Sequence, residues 1–535
     1  MANKNSREIE LKYAVEDPEA VRQLLEGEQL GGLVPGPWRE VSVSDRYLDT
    51  SSRSIERAGY GARLRHTGRN TVLTVKSAAP PASATPRSAK HDRLELEGRA
   101  TRGLDPQSWP QSAARSVVET VAGGEKLRTL FTIDQRRLER DLCRPDGSVA
   151  AVVSLDEAQV SRLGRSVGAF TMLEVELAGD EAEIDDPDAA NALLDGVATE
   201  LESSGLVRPE AQSKEHLGMQ MLKAHARSLQ KPPRKPGVVA DDPLSEAGRK
   251  VLRLHLLRML EAENGSRDGD VESVHKMRVA TRRMRAAWRV FNGAYKQGLQ
   301  RRYVGELREV AQTLGAVRDM DVQLERLRDY AATGSTGPAI EPLIEEWQRR
   351  RDDAREVLLD LLESRDYERF VSDYTDFVET AATGAVADGP GLVREAAAGR
   401  IWRAYERLRS YDEVVPYADV PTLHALRIDS KRLRYTLEFF GEVLPATSAS
   451  LIADLTAVQD HLGLLNDAQV AASLTRAWLM ERASQLPIET RRAAGAYLNS
   501  AERDVERLRR SFGRLWRGLM SRTYRRRLAL AIGDV

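Results

Sequence analysis

The stretch Glu8-Ile9-Glu10-Leu11-Lys12 decides the fold of the first half of this chain. Its charged and apolar residues alternate strictly, so a β-strand would carry Glu8, Glu10 and Lys12 on one face and Ile9 and Leu11 on the other. Two carboxylates beside an ammonium group form a small mixed-charge site that could hold a hard cation or a phosphate group. The pattern therefore predicts a strand with one charged, functional face.

The same alternation returns in later segments up to about residue 177 and predicts further antiparallel strands. Alternation alone favours the solvated face of a half-buried sheet, whereas the repeated Glu-x-Glu pairs favour an ion site. If the sheet closes into a barrel, these charges point inward, where their burial is costly unless a ligand compensates them. Oxygen ligands without His or Cys favour Mg²⁺ or Mn²⁺ over zinc, and clustered Arg and Lys suit a chain of phosphates.

Composition and length limit the class of protein. The chain has 535 residues, a size that on its own indicates about two to four domains. Its net charge is −1 and it has one cysteine, Cys143, so no internal disulfide can form. No run approaches about 18 apolar residues and the N-terminus lacks an apolar signal core. We therefore predict a cytoplasmic protein without a membrane span.

The period of the hydrophobic pattern changes from two to 3.6 after Lys231-Pro-Pro-Arg-Lys-Pro-Gly237. We therefore predict an N-terminal α+β domain at residues 5–225, a linker at 226–243 and an all-α domain at 244–528. The second domain contains a repeat, because the motif that begins at His275 returns at His424 and Leu314-Gly315 returns at Leu462-Gly463. Two matches in the same order predict duplicated helical units at 244–390 and 391–528.

Each repeat carries a stripe of basic residues at helical spacing. The first stripe contains His275, Arg278, Arg282, Arg285 and Arg289, and the second contains His424, Arg427, Lys431 and Arg434. A charge run is usually a solvated helix face. Like charges at this spacing nevertheless repel by a few tenths of a kcal/mol per pair, and no acids interleave to relieve them. Because the stripe also appears twice, we predict a surface that binds a polyanion.

The first half resembles the CYTH, or triphosphate tunnel, family over about residues 5–220. The motif Glu8-x-Glu10-x-Lys12 is followed in the family's order by Tyr47-Leu-Asp49-Thr50, Arg63-x-Arg65, Leu73-Thr-Val-Lys76, Arg93-x-Glu95-x-Glu97, Arg136, Asp156, Glu174-x-Glu176 and Ser213-Lys214. The resemblance implies an eight-stranded antiparallel β tunnel with flanking helices. It also implies that the tunnel processes triphosphates with a divalent metal.

The resemblance implies a role for each matched residue. The catalytic residues would be Glu8, Glu10, Lys12, Glu174 and Glu176. The substrate's phosphates would be held by Lys12, Arg63, Arg65, Lys76, Arg93, Arg136 and Lys214. The metal, Mg²⁺ or Mn²⁺, would be held by Glu8, Glu10, Glu95, Glu97, Asp156, Glu174 and Glu176. In an alternative role, Glu95 and Glu97 orient the basic residues.

The second half resembles the CHAD family, the conserved histidine α-helical domain, over about residues 244–528. That family implies two four-helix bundles related by a pseudo-two-fold axis and a basic surface that binds long inorganic polyphosphate. The polyphosphate-binding residues would be Arg249, Arg253, His275, Arg278, Arg282, Arg283, Arg285, Arg289, Arg400, Arg403, His424, Arg427, Lys431, Arg432 and Arg434.

Together these observations predict metal-dependent hydrolysis of inorganic tripolyphosphate in the first domain and polyphosphate binding in the second. One alternative is a non-catalytic protein of polyphosphate granules. Another is a tunnel enzyme for an organic triphosphate, of the adenylate cyclase or thiamine triphosphatase type. A nucleic-acid partner is disfavoured, because the sequence shows no base-reading or stacking motif. The metal, the preferred chain length, the oligomeric state and any coupling between the halves stay open.

Overall fold

The structure, a computed structural model, describes residues 5–77, 90–162, 164–178, 187–228, 231–333, 337–387 and 389–533. The chain divides into two compact units, Met1–Leu229 and Gln230–Val535. In the described ranges, no helix is long and apolar enough to cross a membrane. Each unit is described by itself.

The first unit is built on one antiparallel sheet. Its strands are β1 (Asn5–Val15), β2 (Val34–Pro35), β3 (Arg39–Thr50), β4 (Tyr60–Thr67), β5 (Asn70–Ser77), β6 (Lys90–Arg99), β7 (Leu127–Cys143), β8 (Val149–Arg162), β9 (Arg165–Leu177) and β10 (Val207–Pro209). Its helices are α1 (Pro18–Leu24), α2 (Ser54–Arg57), α3 (Ala113–Ala122), α4 (Pro187–Ser203) and α5 (Lys214–Ser228).

The sheet closes on itself. Its strand order is β1-β6-β5-β4-β3-β7-β8-β9, and β1 also pairs with β9. The first half of β1, Asn5 to Leu11, pairs with β6, and its second half, Glu10 to Ala14, pairs with β9. The short strands β10 and β2 extend the sheet beside β1 and β7. The predicted eight-stranded antiparallel tunnel is therefore confirmed.

Apolar residues of the alternating strands pack outside the tunnel wall. Ile9, Leu11 and Tyr13 of β1 are buried in a core with residues of α4, such as Leu194 and Val197. A second outer core joins β4 and β5 to α3. Because these helices cover the apolar faces, the alternate residues of the same strands point into the lumen.

The described residues of the second unit form helices joined by short connections. Its first repeat contains α6 (Leu244–Asp268), α7 (Val271–Val290), α8 (Gln297–Thr333), α9 (Glu341–Leu362) and α10 (Arg365–Glu379). Its second repeat contains α11 (Val393–Arg409), α12 (Val420–Phe439), α13 (Ser448–Arg482), α14 (Ile488–Leu519) and α15 (Arg522–Gly533). Helices α6, α7 and α8 each contact their counterparts α11, α12 and α13, as a pseudo-two-fold arrangement requires. The predicted fold of two related helical bundles is confirmed.

The fourth helix of each bundle is broken at a capping serine. In the first repeat the hydroxyl of Ser364 accepts a hydrogen bond from the backbone N–H of Tyr367. In the second repeat Ser521 accepts one from Tyr524 in the same way. A serine that caps a new helix satisfies an otherwise unpaired backbone N–H group. Each bundle is therefore closed by a helix in two segments.

Part of the predicted linker at 226–243 packs into the second unit. The backbone N–H groups of Gly237 and Val238 each donate to the Glu442 carboxylate at 2.8 Å. Val238 is buried in the main helical core, and the Lys250 ammonium group lies 2.8 Å from the Asp242 carboxylate. The domain boundaries at 225, 243 and 390 stay predictions.

Candidate functional site

The lumen of the tunnel contains a cavity of about 540 Å³ with charged walls. Glu10 and Lys12 of β1 line it and are only 3% and 5% exposed. Their side chains form an ion pair. This burial excludes a solvated outer sheet face for these two residues.

A second group of charges surrounds Glu174 on β9. Lys214 Nζ lies 2.8 Å from Glu174 Oε2, and Arg137 Nη2 lies 3.3 Å from the same oxygen. Arg137 also donates two hydrogen bonds to Asp156, at 2.7 and 2.9 Å. Burial alone would raise the pKa of Glu174, but Lys214, Lys12 and Arg137 hold that pKa well below its usual value. Glu174 is therefore an anion held by three cations.

Two more cations are held by Glu95 on β6, the strand on the other side of β1 from β9. Lys76 Nζ lies 3.2 Å from Glu95 Oε1, and an Arg63 nitrogen lies 3.9 Å from the same oxygen. Glu97 accepts a hydrogen bond of 3.3 Å from the Thr74 hydroxyl. These contacts favour the alternative in which Glu95 orients basic residues.

Sequence reasoning missed the fully buried Asp45 on β3, which belongs to this network. Its carboxylate accepts two hydrogen bonds of 2.9 Å from Arg65, one of 3.4 Å from Arg63 and one of 3.0 Å from Gln135. Burial would raise the pKa of Asp45, but Arg63 and Arg65 lower it strongly. Asp45 lies directly opposite Arg65 in the strand register. Its burial and its place opposite Arg65 follow from the folded sheet, so no local sequence pattern identifies it.

The prediction that Arg136 lines the lumen is wrong. The Arg136 side chain is 53% exposed and pairs with Glu40, with Nε 3.0 Å from Oε1. The next residue, Arg137, has a side chain only 14% exposed and lines the cavity. Successive strand residues point to opposite faces, so one of two adjacent arginines must face outward. The sequence Arg136-Arg137 alone does not say which.

Most of the other predicted tunnel residues come together. Those that line the cavity are Glu10, Lys12, Arg63, Arg65, Lys76, Glu174, Glu176 and Lys214. Asp156 and Glu95 lie just behind them, in contact with the lining cations. The side chains of Glu8 and Arg93 lie outside the described part of the chain.

In the helical unit, the basic stripes of α7 and α12 lie side by side. Lys431 is close enough to Arg278, Arg282 and Arg427 for their charges to disfavour its protonated form. Burial and these like charges lower the pKa of Lys431 to about 6. We call Arg278, Arg282, Arg427 and Lys431 the central patch. The two repeats thus contribute to one concentrated positive surface.

The repeated glycine motif lies beside the central patch. Gly315 faces Arg278 and Gly463 faces Arg427, each with room for the guanidinium group. Acids follow closely, since Arg278 Nη2 lies 3.1 Å from Asp319 Oδ1 and Asp467 lies near Arg427. His275 has a pKa lowered by burial and by Arg318, so it is mainly neutral near pH 7. His424 Nδ1 lies 3.2 Å from the Asn466 side-chain oxygen.

The remaining predicted basic residues divide into two sets. Arg249 pairs with Glu246, Arg253 with Glu379 and Arg283 with Glu438. None of these three is among the arginines whose charges act on Lys431. The other six basic residues have different neighbours. Arg285 lies near Arg308, Arg434 lies near Lys431, and Arg289, Arg400, Arg403 and Arg432 line a separate small pocket.

Each of the two units matches the model of a protein family. The CYTH domain model matches residues 6–216 and the CHAD domain model matches residues 250–476. The chain contains a CYTH domain and a CHAD domain. No curated protein matches it.

Solved structures resemble each domain. The CHAD domain from the plant Ricinus communis is 25% identical, with a TM-score of 0.44, and the match covers 52% of this chain and 96% of that chain. PptA from Streptomyces chartreusis is 18% identical, with a TM-score of 0.42, and the match covers 52% and 100%. The adenylyl cyclase-type protein HpAC1 from Hippeastrum, for which a dominant triphosphatase activity is described, is 20% identical, with a TM-score of 0.29 and coverage of 40% and 95%.

CYTH domains are divalent-metal-dependent tunnel enzymes with triphosphatase activity. The lumen of this CYTH domain has the donors that such a metal needs. Glu10 and Glu176 lie directly opposite each other on β1 and β9, and both line the cavity. Two carboxylates in that register repel unless a cation lies between them, and oxygen donors suit a hard cation. Among the described side chains, no three acids converge as a ready-made metal cluster.

Proposed function

We propose that the CYTH domain hydrolyses inorganic triphosphate and that the CHAD domain binds inorganic polyphosphate. One observation carries the first part: six basic side chains that pair with acids line one cavity of about 540 Å³. They are Lys12, Arg63, Arg65, Lys76, Arg137 and Lys214. Each is held by an acid of the lumen in the described structure. A chain of three phosphates has the negative charge and the length to bridge such cations.

The basic residues would bind and orient the substrate. Lys214 and Arg137 share Glu174 and Asp156, so a phosphate oxygen can replace one acid without leaving either cation unpaired. Asp45 keeps the Arg63 and Arg65 guanidinium groups on the lumen side of β4. Fixed cations stabilise the charge that develops on the departing diphosphate, and phosphoryl transfer needs little else from a protein.

Glu10 and Glu176 are the residues that would hold Mg²⁺ or Mn²⁺. When bound, the ion would neutralise phosphate charge and lower the pKa of an attacking water. Lys12 would then release Glu10 and bind a phosphate oxygen instead, because its ammonium group lies between Glu10 and Glu174. No side-chain nucleophile is required.

Phosphate release from tripolyphosphate tests the proposal. We expect Mg²⁺- or Mn²⁺-dependent release by the whole chain, and a loss of at least about a hundredfold in the Glu10→Gln variant. Glu40→Gln is the matched control, because Glu40 pairs with Arg136 on the outer wall. Absence of release with either metal, or full activity of Glu10→Gln, would refute catalysis. Faster turnover of ATP or thiamine triphosphate would instead indicate an organic substrate.

The central patch supports the proposed role of the CHAD domain. Burial and the charges of the three neighbouring arginines of the patch lower the pKa of Lys431. A polyanion would relieve this repulsion, and its binding should weaken as salt rises because counterions are released. Titration of the whole chain with long polyphosphate and with duplex DNA tests the partner. Tighter binding of DNA at equal ionic strength would overturn the assignment.

A further inference from the structure

A pocket of about 210 Å³ lies where α7, α11 and α12 meet, beside the end of the first basic stripe. Four arginines line it: Arg289, Arg400, Arg403 and Arg432. The other described lining residues are Ala286, Val290, Ala404, Tyr435 and Thr436, and none of these is an acid. Asp429 contacts one of the four arginines, with its Oδ1 2.6 Å from Arg432 Nη1.

The arginines of this pocket are incompletely satisfied. Arg400 donates to the backbone oxygens of Val290 and Asn292, at 2.6 and 3.0 Å. Within the described residues, however, the Nε atoms of Arg400 and Arg432 are buried without a hydrogen-bond partner. A buried donor without a partner is costly and rare, and it indicates that a water or an ion belongs there. Because four guanidinium groups surround the space, an anion fits it.

The repeat shows that this pocket is not a general feature of the fold. The sequence match between the repeats places Glu438 where Arg289 stands and Arg283 where Arg432 stands. In that half of the domain Arg283 and Glu438 form an ion pair of 2.9 Å. The positions that match Arg400 and Arg403 are the buried apolar residues Val251 and Leu254. The same place is therefore neutral in one repeat and strongly positive in the other.

We propose that this arginine pocket binds the terminal phosphate group of a polyphosphate chain. This inference rests on the proposed polyphosphate binding by the CHAD domain. The volume equals that of about seven water molecules, which suits one phosphate group rather than a length of chain. A terminal phosphate group carries up to about two negative charges near neutral pH, whereas an internal one carries one. Four arginines therefore favour binding of a terminal phosphate group over an internal one. A chain held by the central patch would then bind with a defined end.

Linear polyphosphate of one length, with free ends or with both ends blocked by a neutral group, tests the proposal on the whole chain in the presence of EDTA. We expect the unmodified chain to bind the free-ended ligand more tightly by about tenfold or more, the loss that accompanies removal of a charge-assisted hydrogen bond. Arg403→Ala and Arg289→Glu should abolish the preference. The second variant copies the arrangement of Arg283 and Glu438, so it should fold.

Arg394→Ala is the control, because Arg394 is an exposed arginine of the same helix that pairs with Asp241 and does not line the pocket. It should keep the preference for free ends. The proposal for the pocket would be refuted if the unmodified chain bound both ligands equally or if both pocket variants kept the preference. Either result would leave the proposed polyphosphate binding by the CHAD domain in place. Binding of neither ligand would instead refute the proposed function of the CHAD domain.

Discussion

Two adjacent arginines of β7 have opposite surroundings. Arg137 reaches Asp156 and Glu174 inside the tunnel, and Arg136 reaches Glu40 on the outer wall. We therefore expect Arg137→Ala to lower phosphate release from tripolyphosphate by about a hundredfold to a thousandfold, because a cation that stabilises transferred charge is lost. Arg136→Ala should keep nearly full activity. Steady-state kinetics of the two variants measures the difference, and similar losses in both would contradict the assigned faces.

Lys431 predicts a pH dependence of polyphosphate binding. Its pKa of about 6 means that the ammonium group is mainly neutral at pH 7 in the free protein. A bound polyanion favours the charged form, so binding takes up a proton above pH 6. Affinity should therefore fall as pH rises from 6 to 8, by up to about tenfold per pH unit. Titrations in buffers of different ionisation enthalpy measure the proton uptake.

Lys431→Arg is the control for this effect, since arginine stays charged across the range. Titration of His275 and of the chain ends is common to both proteins and cancels in the comparison. A Lys431→Arg variant with the same pH slope and the same proton uptake would show that Lys431 does not titrate on binding.

At the scale of elements, α5 closes the wall of the tunnel near an apolar part of the lumen. Phe131 stacks on Tyr47 there, with ring centroids 4.7 Å apart, and Gly218 of α5 packs on the Phe131 ring. A Cβ atom at Gly218 would lie 2.4 Å from a ring carbon, which forces a shift of the helix or the ring. Gly218→Ala should lower the free energy of unfolding by about 1–3 kcal/mol.

Gly495→Ala is the matched substitution, because Gly495 lies in a helix with nothing within 4 Å of the added carbon. It should raise the free energy of unfolding by about 0.5–1 kcal/mol through helix propensity alone. Denaturant unfolding followed by circular dichroism measures both variants. Stabilisation by Gly218→Ala would contradict the contact with Phe131.

Alternation made the strands and the charged face predictable, because period two fixes which residues share a side of the sheet. It placed Glu10, Lys12, Glu174 and Glu176 in one lumen correctly. It failed at Arg136, since two consecutive arginines fit either register. It also missed Asp45, whose role depends on the cross-strand pairing of β3 with β4. Pairings between distant segments come from the closed sheet and leave no local pattern.

In the helices, periodicity revealed the stripes but not their neighbours. Arg249, Arg253 and Arg283 each pair with an acid, and their place on the polyphosphate surface stays a prediction. Two of these acids, Glu379 and Glu438, lie on other helices. The helical periodicity of one segment cannot predict a charge partner that packing brings from another helix. The repeat, in contrast, was visible because matched motifs need only local sequence.

At the scale of the whole molecule, the two proposed sites lie in separate compact units. Arg137→Ala should therefore lower tripolyphosphate hydrolysis and leave polyphosphate binding intact. Arg278→Ala should do the reverse, with a loss of binding of about tenfold, because Arg278 belongs to the central patch. Both readouts are measured on both full-length variants. A loss of both activities in either variant would reveal coupling between the units.

The split pairing of β1 predicts what happens to the protein when this strand is lost. Hydrogen bonds from this one strand seal the ring on two sides, with β6 along its first half and β9 along its second. A chain cut by a protease just after Val15 would keep most of its helices but expose two long unpaired strand edges. Such edges recruit strands from other molecules, so trimmed protein should form insoluble assemblies rather than a weakened monomer.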